Sequence, residues 1–435
     1  MTSNIFVVGL EPFNATLLDG IGRPGEFRFV ELLGYHEAAR PLSEAISFKA
    51  LLTTAEERMA AFEGDVSGII GYFDFPTSSL VPVLCHRRGL PAPTLEAVAS
   101  CEHKHWSRLL QNEVVPELVP RYRIVDPFRV KSDADIGLDF PYWIKPIKAH
   151  SSYLGFRINS DPDLQAALPV IRHGISTLGD AFNEFLELVS RPPEIARISG
   201  LHCIVEEIIS TGRQCTLEGY SWGGEVVVYG MVDSVRTGRH RSSFFRYQFP
   251  SSLPRRATER MVAAAGTVIR QCGYDMGAFN IEFYWNPGDD QIRLLEVNAR
   301  ISKSHSPLFK LVDGATHQQV LVDLALGRQP EMPHRRGRYR LAAKFMIRRT
   351  GDGLVRRIPD GRDLQRVERA YPDTVVRILV AEGQRLANLS FQDSYSYELA
   401  ELFLGGDSQA DLLRRYRHCL ELLPFEIDPP MPFAA

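Results

Sequence analysis

The chain has 435 residues, with 50 Lys+Arg against 53 Asp+Glu, a formal charge of -3, and 44% hydrophobic, 24% charged and 10% aromatic residues. This composition excludes a disordered, collagenous or coiled-coil chain, and the near-neutral balance excludes a global electrostatic footprint for nucleic acid or an anionic membrane. At roughly 150 residues per domain, the length allows about three domains or two large ones.

Cys85, Cys101, Cys203, Cys215, Cys272 and Cys419 never form a C-x-x-C pair, so no zinc or redox motif is indicated and they read as buried reduced thiols. The apolar run Ile5 to Leu10 lacks a basic flank and is too short for a signal segment, and no stretch reaches eighteen apolar residues. A cytoplasmic protein with no membrane partner is expected. Ile5-Phe6-Val7-Val8-Gly9 has the pattern of a buried parallel strand, and Ser67-Gly68-Ile69-Ile70-Gly71-Tyr72 repeats it. Pro76 then opens a helical segment in which Leu80, Val83 and Leu84 recur before Gly89. Residues 1–95 read as a small open α/β domain; it has neither G-x-G-x-x-G nor G-x-x-x-x-G-K-[ST], so no nucleotide is expected in it.

Past Pro91-Ala92-Pro93-Thr94 one helix bearing Glu96, Lys104 and Leu109 is predicted, followed by short strands at Val119 to Val125 and Tyr142 to Pro146. His150 to Gly155 reads as a small-residue hairpin tip, with a new apolar segment from Phe156. Residues 164–190 have helical periodicity, Leu201 to Ile209 and Thr216 to Val232 are β-rich around a turn at Trp222-Gly223-Gly224-Glu225, and Arg255 to Gln271 is helical. Gly277 to Glu296 is a predicted hairpin turning at Asn286 to Asp290. A further unit begins near residue 330, with a strand at Leu341 to Ile347 and a closing helix at Ser408 to Leu423.

Side chains alternate along a strand, so Glu296, Asn298 and Arg300 project from one side; if Glu282 on the partner strand faces the same way, the two carboxylates and the Asn298 amide oxygen form the hard-oxygen set that Mg²⁺ takes together with phosphate oxygens. By spacing alone, the same pattern also fits an ordinary half-exposed hairpin. Lys145 lies in an apolar, aromatic strand where an unpaired ammonium is costly, so it calls for an anion such as phosphate, or else snorkels from the strand end. Lys104 alone reads as a solvated helix lysine. Glu206 and Glu207 close an apolar run and fit either a sheet edge or a segment offering backbone groups to a purine and a carboxylate to ribose.

Taken in order, Lys104 on a helix, Lys145-Pro146 on a strand, a small-residue loop, Ile204-Val205-Glu206-Glu207, Glu282 and Glu296-Val297-Asn298-Ala299-Arg300 resemble the ATP-grasp superfamily over nearly the whole chain. The C-terminal part is similar to that of the L-amino-acid ligase and biotin carboxylase-like branch. The resemblance implies an α/β fold, α+β in parts: an N-terminal open α/β domain over 1–95, an ATP-grasp core over 96–330 in two subdomains split near 203, and a β-rich C-terminal domain over 331–435. It implies that Lys104 and Lys145 hold the ATP phosphates, that the loop of Ser151, Ser152 and Gly155 closes over them, and that Glu206, Glu207 and Ile208 bind adenine and ribose. Glu282, Glu296 and Asn298 would hold Mg²⁺, with Mn²⁺ as the alternate ion. Arg300 and Lys145 would be catalytic, Arg300 contacting the acyl phosphate or the incoming carboxylate. The chain departs from the family pattern at His103, where an acidic residue is common, at the bulky Tyr153-Leu154, and at Ser302-Lys303-Ser304-His305.

The activity implied is an ATP-dependent carboxylate-amine ligase acting on small molecules, with no nucleic-acid partner and with homodimerisation as a family expectation. A biotin carboxylase-like carboxylase and a non-catalytic ATP-binding module are the alternatives. Two substrate candidates lie outside the motif. Arg246, in the basic segment Arg236 to Phe249, lines a carboxylate pocket or belongs to a solvated loop; His305 is a general base for the amine or a plain helix-start histidine near Pro307.

Overall fold

The computed structural model describes residues 2–38, 45–150, 153–237, 243–389 and 396–428. They form two compact units, one of Met1–Tyr229, Leu253–Lys303 and Gln318–Glu331, the other of Gly230–Ser252, Ser304–His317 and Met332–Ala435.

The first unit opens with a parallel sheet in the order β2-β1-β3, built from β1 (Ser3–Leu10), β2 (Phe27–Gly34) and β3 (Gly68–Gly71). Helices α1 (Pro12–Leu18), α2 (Tyr35–Ala38) and α3 (Phe48–Ala60) lie between the strands, and α4 (Thr77–Arg87) follows β3. Ile5, Val7 and Val8 are fully buried, as the continuous apolar run requires of a strand covered on both faces. Pro76 is the residue before α4 rather than part of it, and Gly89 ends the segment at φ +66°.

The single helix predicted next is two, α5 (Leu95–Glu102) and α6 (Lys104–Val114). His103 between them is extended at φ -89°, ψ 100°, and its Nδ1 accepts the Trp106 N–H at 3.2 Å. A ring nitrogen thus serves as the N-cap of α6, starting a new helix where the hydrophobic period runs through unbroken.

An antiparallel sheet in the order β4-β7-β5-β6 follows, from β4 (Tyr122–Val125), β5 (Tyr142–Pro146), β6 (Phe156–Ile158) and β7 (Cys203–Glu207), with α7 (Asp161–Gly174), α8 (Ser176–Leu186) and α9 (Pro193–Ala196) between β6 and β7. Tyr142, Ile144, Cys203 and Val205 pack with Leu164, Leu168 and Ile171 of α7 on one face. Alternation sends Lys145 and Glu206 to the other face; Lys145 lies opposite Ile204, two residues before Glu206.

β8 (Arg213–Trp222) turns into β9 (Glu225–Thr237) through Gly223 and Gly224, both at positive φ as a two-residue hairpin turn demands. β9 passes into the second unit and is followed there by β10 (Ser243–Phe249). Back in the first unit, α10 (Arg255–Gln271) packs on α6, and β11 (Gly277–Asn286) and β12 (Gln291–Asn298) complete an antiparallel order β12-β11-β8. Helix α11 (Ser306–Val312) belongs to the second unit and α12 (Gln318–Ala325) to the first.

The remaining elements of the second unit are β13 (Leu341–Arg349), β14 (Leu354–Arg357), α13 (Gly361–Ala370), β15 (Val375–Ile378), β16 (Tyr397–Gly406), α14 (Gln409–Leu422) and β17 (Glu426–Asp428). Its antiparallel sheet runs β9-β10-β13-β16-β15, with Phe345, Leu402 and Leu404 in a core shared with Leu412 and Cys419 of α14. All six cysteines are free and buried, and among the described residues no helix is long and apolar enough to cross a membrane.

Candidate active site

The β11–β12 hairpin sets Glu282 directly opposite Glu296 and Asn280 opposite Asn298, and directly opposed residues of an antiparallel pair share a face. Asn298 Nδ2 donates to Asn280 Oδ1 at 2.9 Å, leaving Asn298 Oδ1 without a partner among the described residues. Glu282 accepts from Gln214 Nε2 at 2.8 Å. Among the described residues no three His, Cys, Asp or Glu side chains gather as a ready-made metal cluster. Two carboxylates and an amide oxygen nonetheless fit Mg²⁺, which keeps water and phosphate oxygens for the rest of its octahedron.

Two lysines are held at this face by carboxylates. Lys104, the first residue of α6, places Nζ 3.1 Å from Glu296 Oε1 and donates to the Ala149 carbonyl at 2.7 Å. Lys145 pairs with Glu206 Oε2 at 2.7 Å, while Arg108 of α6 takes Glu206 Oε1 at 2.6 Å and bonds the Leu295 carbonyl at 2.8 Å, tying α6 to β12. Burial alone would raise the Glu206 carboxyl, but the Arg108 and Lys145 charges outweigh it and hold the group at about 2. For Glu296, likewise, Lys104 and Lys145 overcome the desolvation and keep the carboxyl below its ordinary range. His103 is neutral in this setting, because burial pushes its imidazole down to about 4.

Arg300 reaches back to the loop after β3, where its Nε and Nη2 donate to Asp74 Oδ1 at 2.9 and 2.6 Å. Burial works against the ionised Asp74, yet Arg300 and His150 hold its carboxyl well below the usual range. Lys148 is a further cation here. It pairs with Glu102 and lies 5.5 and 5.7 Å from the ring centres of Phe75 and Phe182; burial lowers its ammonium to about 8, opposed by the charges of Asp74 and Glu296.

Sequence reasoning named Lys104, Lys145, Glu206, Glu282, Glu296, Asn298 and Arg300 and missed Asp74, Arg108, Lys148 and Asn280. The only available signal for Arg108 and Lys148 was a charge in an apolar setting. Glu207 turns away from Glu206 and pairs with Arg121 at 3.1 Å, while Ile208 is half-buried just past β7. Gly155 lies against Trp143, where a Cβ would come within 2.9 Å of the ring; Ser151 and Ser152 lie outside the described residues.

In the second unit Arg246 is a buried strand residue, not part of a solvated loop. Its Nε donates to Gln248 Oε1 at 3.1 Å, and it has no carboxylate ion-pair partner among the described residues. Burial pushes its guanidinium down from the usual range. His305 is 2% exposed and meets the Tyr247 ring edge-on at 5.1 Å. Nearby in the same unit, Lys344 and Arg377 share Glu401. Arg239, His240 and Arg241 lie outside the described residues.

The family model of the carbamoyl-phosphate synthase L chain ATP-binding domain matches residues 190–331, which include Glu206 and the whole β11–β12 hairpin. The C-terminal section of the carbamoyl phosphate synthase large chain from Methanopyrus kandleri is 27% identical over 143 residues, 32% of this chain and 26% of that protein. The match thus spans only about a quarter of that relative's length. Over the whole fold, the crystal structure of L-amino acid ligase from Bacillus licheniformis agrees with a TM-score of 0.71 at 16% identity, covering 98% of this chain and 99% of that one. Biotin carboxylase from Campylobacter jejuni gives 0.61 at 14% identity, covering 99% and 93%. Residues 190–331 thus match the carbamoyl-phosphate synthase ATP-binding domain family, and the chain has the α/β fold of the L-amino acid ligase and biotin carboxylase structures.

Proposed function

We propose that this protein is an ATP-dependent carboxylate-amine ligase, forming an amide or peptide bond between two small molecules through an acyl phosphate and releasing ADP and phosphate. The observation that carries the reading is the set of cations held by carboxylates around one hard-oxygen face: Lys104 on Glu296, Lys145 on Glu206, and Arg300 on Asp74. Phosphoryl transfer leaves a protein little covalent work and much positioning and charge neutralisation, which this equipment suits.

In this reading Lys104 and Lys145 bind the ATP phosphates, and Glu296 and Glu206 orient them between turnovers. Glu207 and Ile208 meet adenine and ribose. Glu282, Glu296 and Asn298 hold Mg²⁺, which supplies Lewis-acid neutralisation of the phosphate oxygens. Arg300, fixed by Asp74, steadies the acyl phosphate. Arg246 and His305 are substrate contacts. The domain bounds 1–95, 96–330 and 331–435, a homodimer and a cytoplasmic location rest on the family resemblance alone.

The test is ADP release from Mg-ATP across pools of small carboxylates and amines. Amine-dependent release supports a ligase, bicarbonate-dependent release a carboxylase, and ATP binding without release a non-catalytic module.

A further inference from the structure

Lys148 and its partner Glu102 have no part in the phosphate and metal assignments above, yet both are deeply enclosed, with side chains 5% and 7% exposed. Glu102 is the only hydrogen-bond acceptor that the Lys148 ammonium has among the described residues, and the rings of Phe75 and Phe182 flank it at 5.5 and 5.7 Å. A buried pair is often no more stabilising than apolar side chains of similar volume, so its use is sought in the geometry it fixes.

That geometry concerns two short segments. Glu102 ends α5, His103 is extended, and Lys104 begins α6, while residues 147–149 follow the end of β5 at Pro146. The segments meet in three places: Glu102 pairs with Lys148, the Lys104 N–H donates to the Ile147 carbonyl at 3.4 Å, and Lys104 Nζ donates to the Ala149 carbonyl at 2.7 Å. The start of α6 is fixed independently, since the His103 ring caps Trp106 at 3.2 Å and reaches the Ile198 carbonyl at 3.1 Å. Residues 147–149 have less to hold them. The Ile147 N–H donates to the His202 carbonyl at 2.9 Å, but among the described residues Lys148 and Ala149 have no backbone hydrogen bond except the one from Lys104 Nζ to Ala149.

The Ala149 carbonyl in turn decides where the Lys104 ammonium stands. Nζ lies between that carbonyl and Glu296 Oε1 at 3.1 Å, on a side chain only 9% exposed, so water competes little for its place. A shift of the carbonyl carries the ammonium with it, and an ångström of misplacement is costly where charge must meet charge. His103 stands immediately before this lysine; the acidic residue comes one position earlier and turns to Lys148.

We propose that Glu102 and Lys148 are positioning residues for Lys104: their ion pair locks residues 147–149 onto the start of α6 and so sets the ammonium that receives the nucleotide's phosphates. The assignment rests on the ligase reading, in which Lys104 holds ATP phosphates, and deepens it by naming what places that lysine.

The test is equilibrium binding to the full chain, by calorimetry, of β,γ-imido-ATP with Mg²⁺ and of adenosine, beside thermal melts. Four proteins are compared: wild type, Glu102→Leu/Lys148→Met, Lys104→Met, and the variant carrying all three changes. The double variant removes both charges together and strands no ion, so its melting temperature stays within about 3 °C of wild type. Its affinity for the ATP analogue falls about tenfold while its affinity for adenosine is unchanged, and the triple variant binds the analogue as Lys104→Met does, because the pair acts through that lysine. Where the double variant melts far lower, Glu102→Gln takes its place with the same expected coupling to Lys104→Met.

Analogue affinity equal to wild type in the double variant, losses that multiply in the triple variant, or a fall for adenosine as large as that for the analogue overturns the positioning role and leaves the ligase reading intact. Lys104→Met binding the analogue as tightly as wild type removes the phosphate role of Lys104 and this inference with it. Wild type that binds no nucleotide overturns the ligase reading as well.

Discussion

Replacing Glu206 by glutamine keeps the side chain's shape and removes its charge, stranding Lys145 and Arg108, which bond the same carboxylate at 2.7 and 2.6 Å. The carboxylate is only 5% exposed, so solvent screening relieves little of the loss. Its folded-state pKa of about 2 lies below the ordinary 4.5, so ionisation favours the folded form. That stabilisation is fully present above pH 4.5 and drains away as pH falls through 2. The gap amounts to about 3 kcal/mol at neutral pH and about 1 kcal/mol by pH 3. At neutral pH it lowers the melting transition by roughly 3 to 5 °C. Thermal melts of wild type and Glu206→Gln between pH 7 and pH 3 check this. The expected difference is flat from pH 7 to about 5 and narrows below it; equal melting at pH 7, or a difference that ignores pH, refutes the ion-pair reasoning.

Glu296→Ala removes the Lys104 partner and, in the proposed role, a Mg²⁺ ligand, so ADP formation is expected to be abolished; near-normal turnover would sink the metal assignment. Asp74→Asn frees the Arg300 guanidinium and is expected to raise the KM of the organic substrates about tenfold, with a smaller effect on the KM for ATP, in steady-state kinetics. His103→Ala loses the N-cap of α6 and costs about 1 kcal/mol in denaturant melts, which His103→Asn largely restores. Because burial depresses the His103 pKa from 6.5 to about 4, the unfolded chain takes up its proton first, and stability falls as pH drops from 6.5 toward 4. His103→Asn should flatten that slope; an unaltered slope would assign it to another group.

What was readable in advance was what local pattern encodes. Ile5 to Val8 and Ile69-Ile70 announce buried parallel strands because both of their faces are apolar. The turn at Asn286 to Asp290 closes a hairpin whose register brings Glu282 opposite Glu296. Ion pairing across the fold was not readable. Arg108 meets a residue 98 positions away and Arg300 one 226 positions away, distances over which no periodicity carries information. The break between α5 and α6 was hidden for a different reason: the apolar period continues through His103, and only the capping geometry of its ring shows that two helices meet there.

The most direct test of the ligase assignment is ADP release by the purified chain with Mg-ATP, a pool of small carboxylates and a nucleophile, wild type beside Glu296→Ala. Release that needs both the carboxylate and the nucleophile and disappears in the variant is the predicted result. Release that needs bicarbonate and no nucleophile, or survives the loss of Glu296, would contradict it.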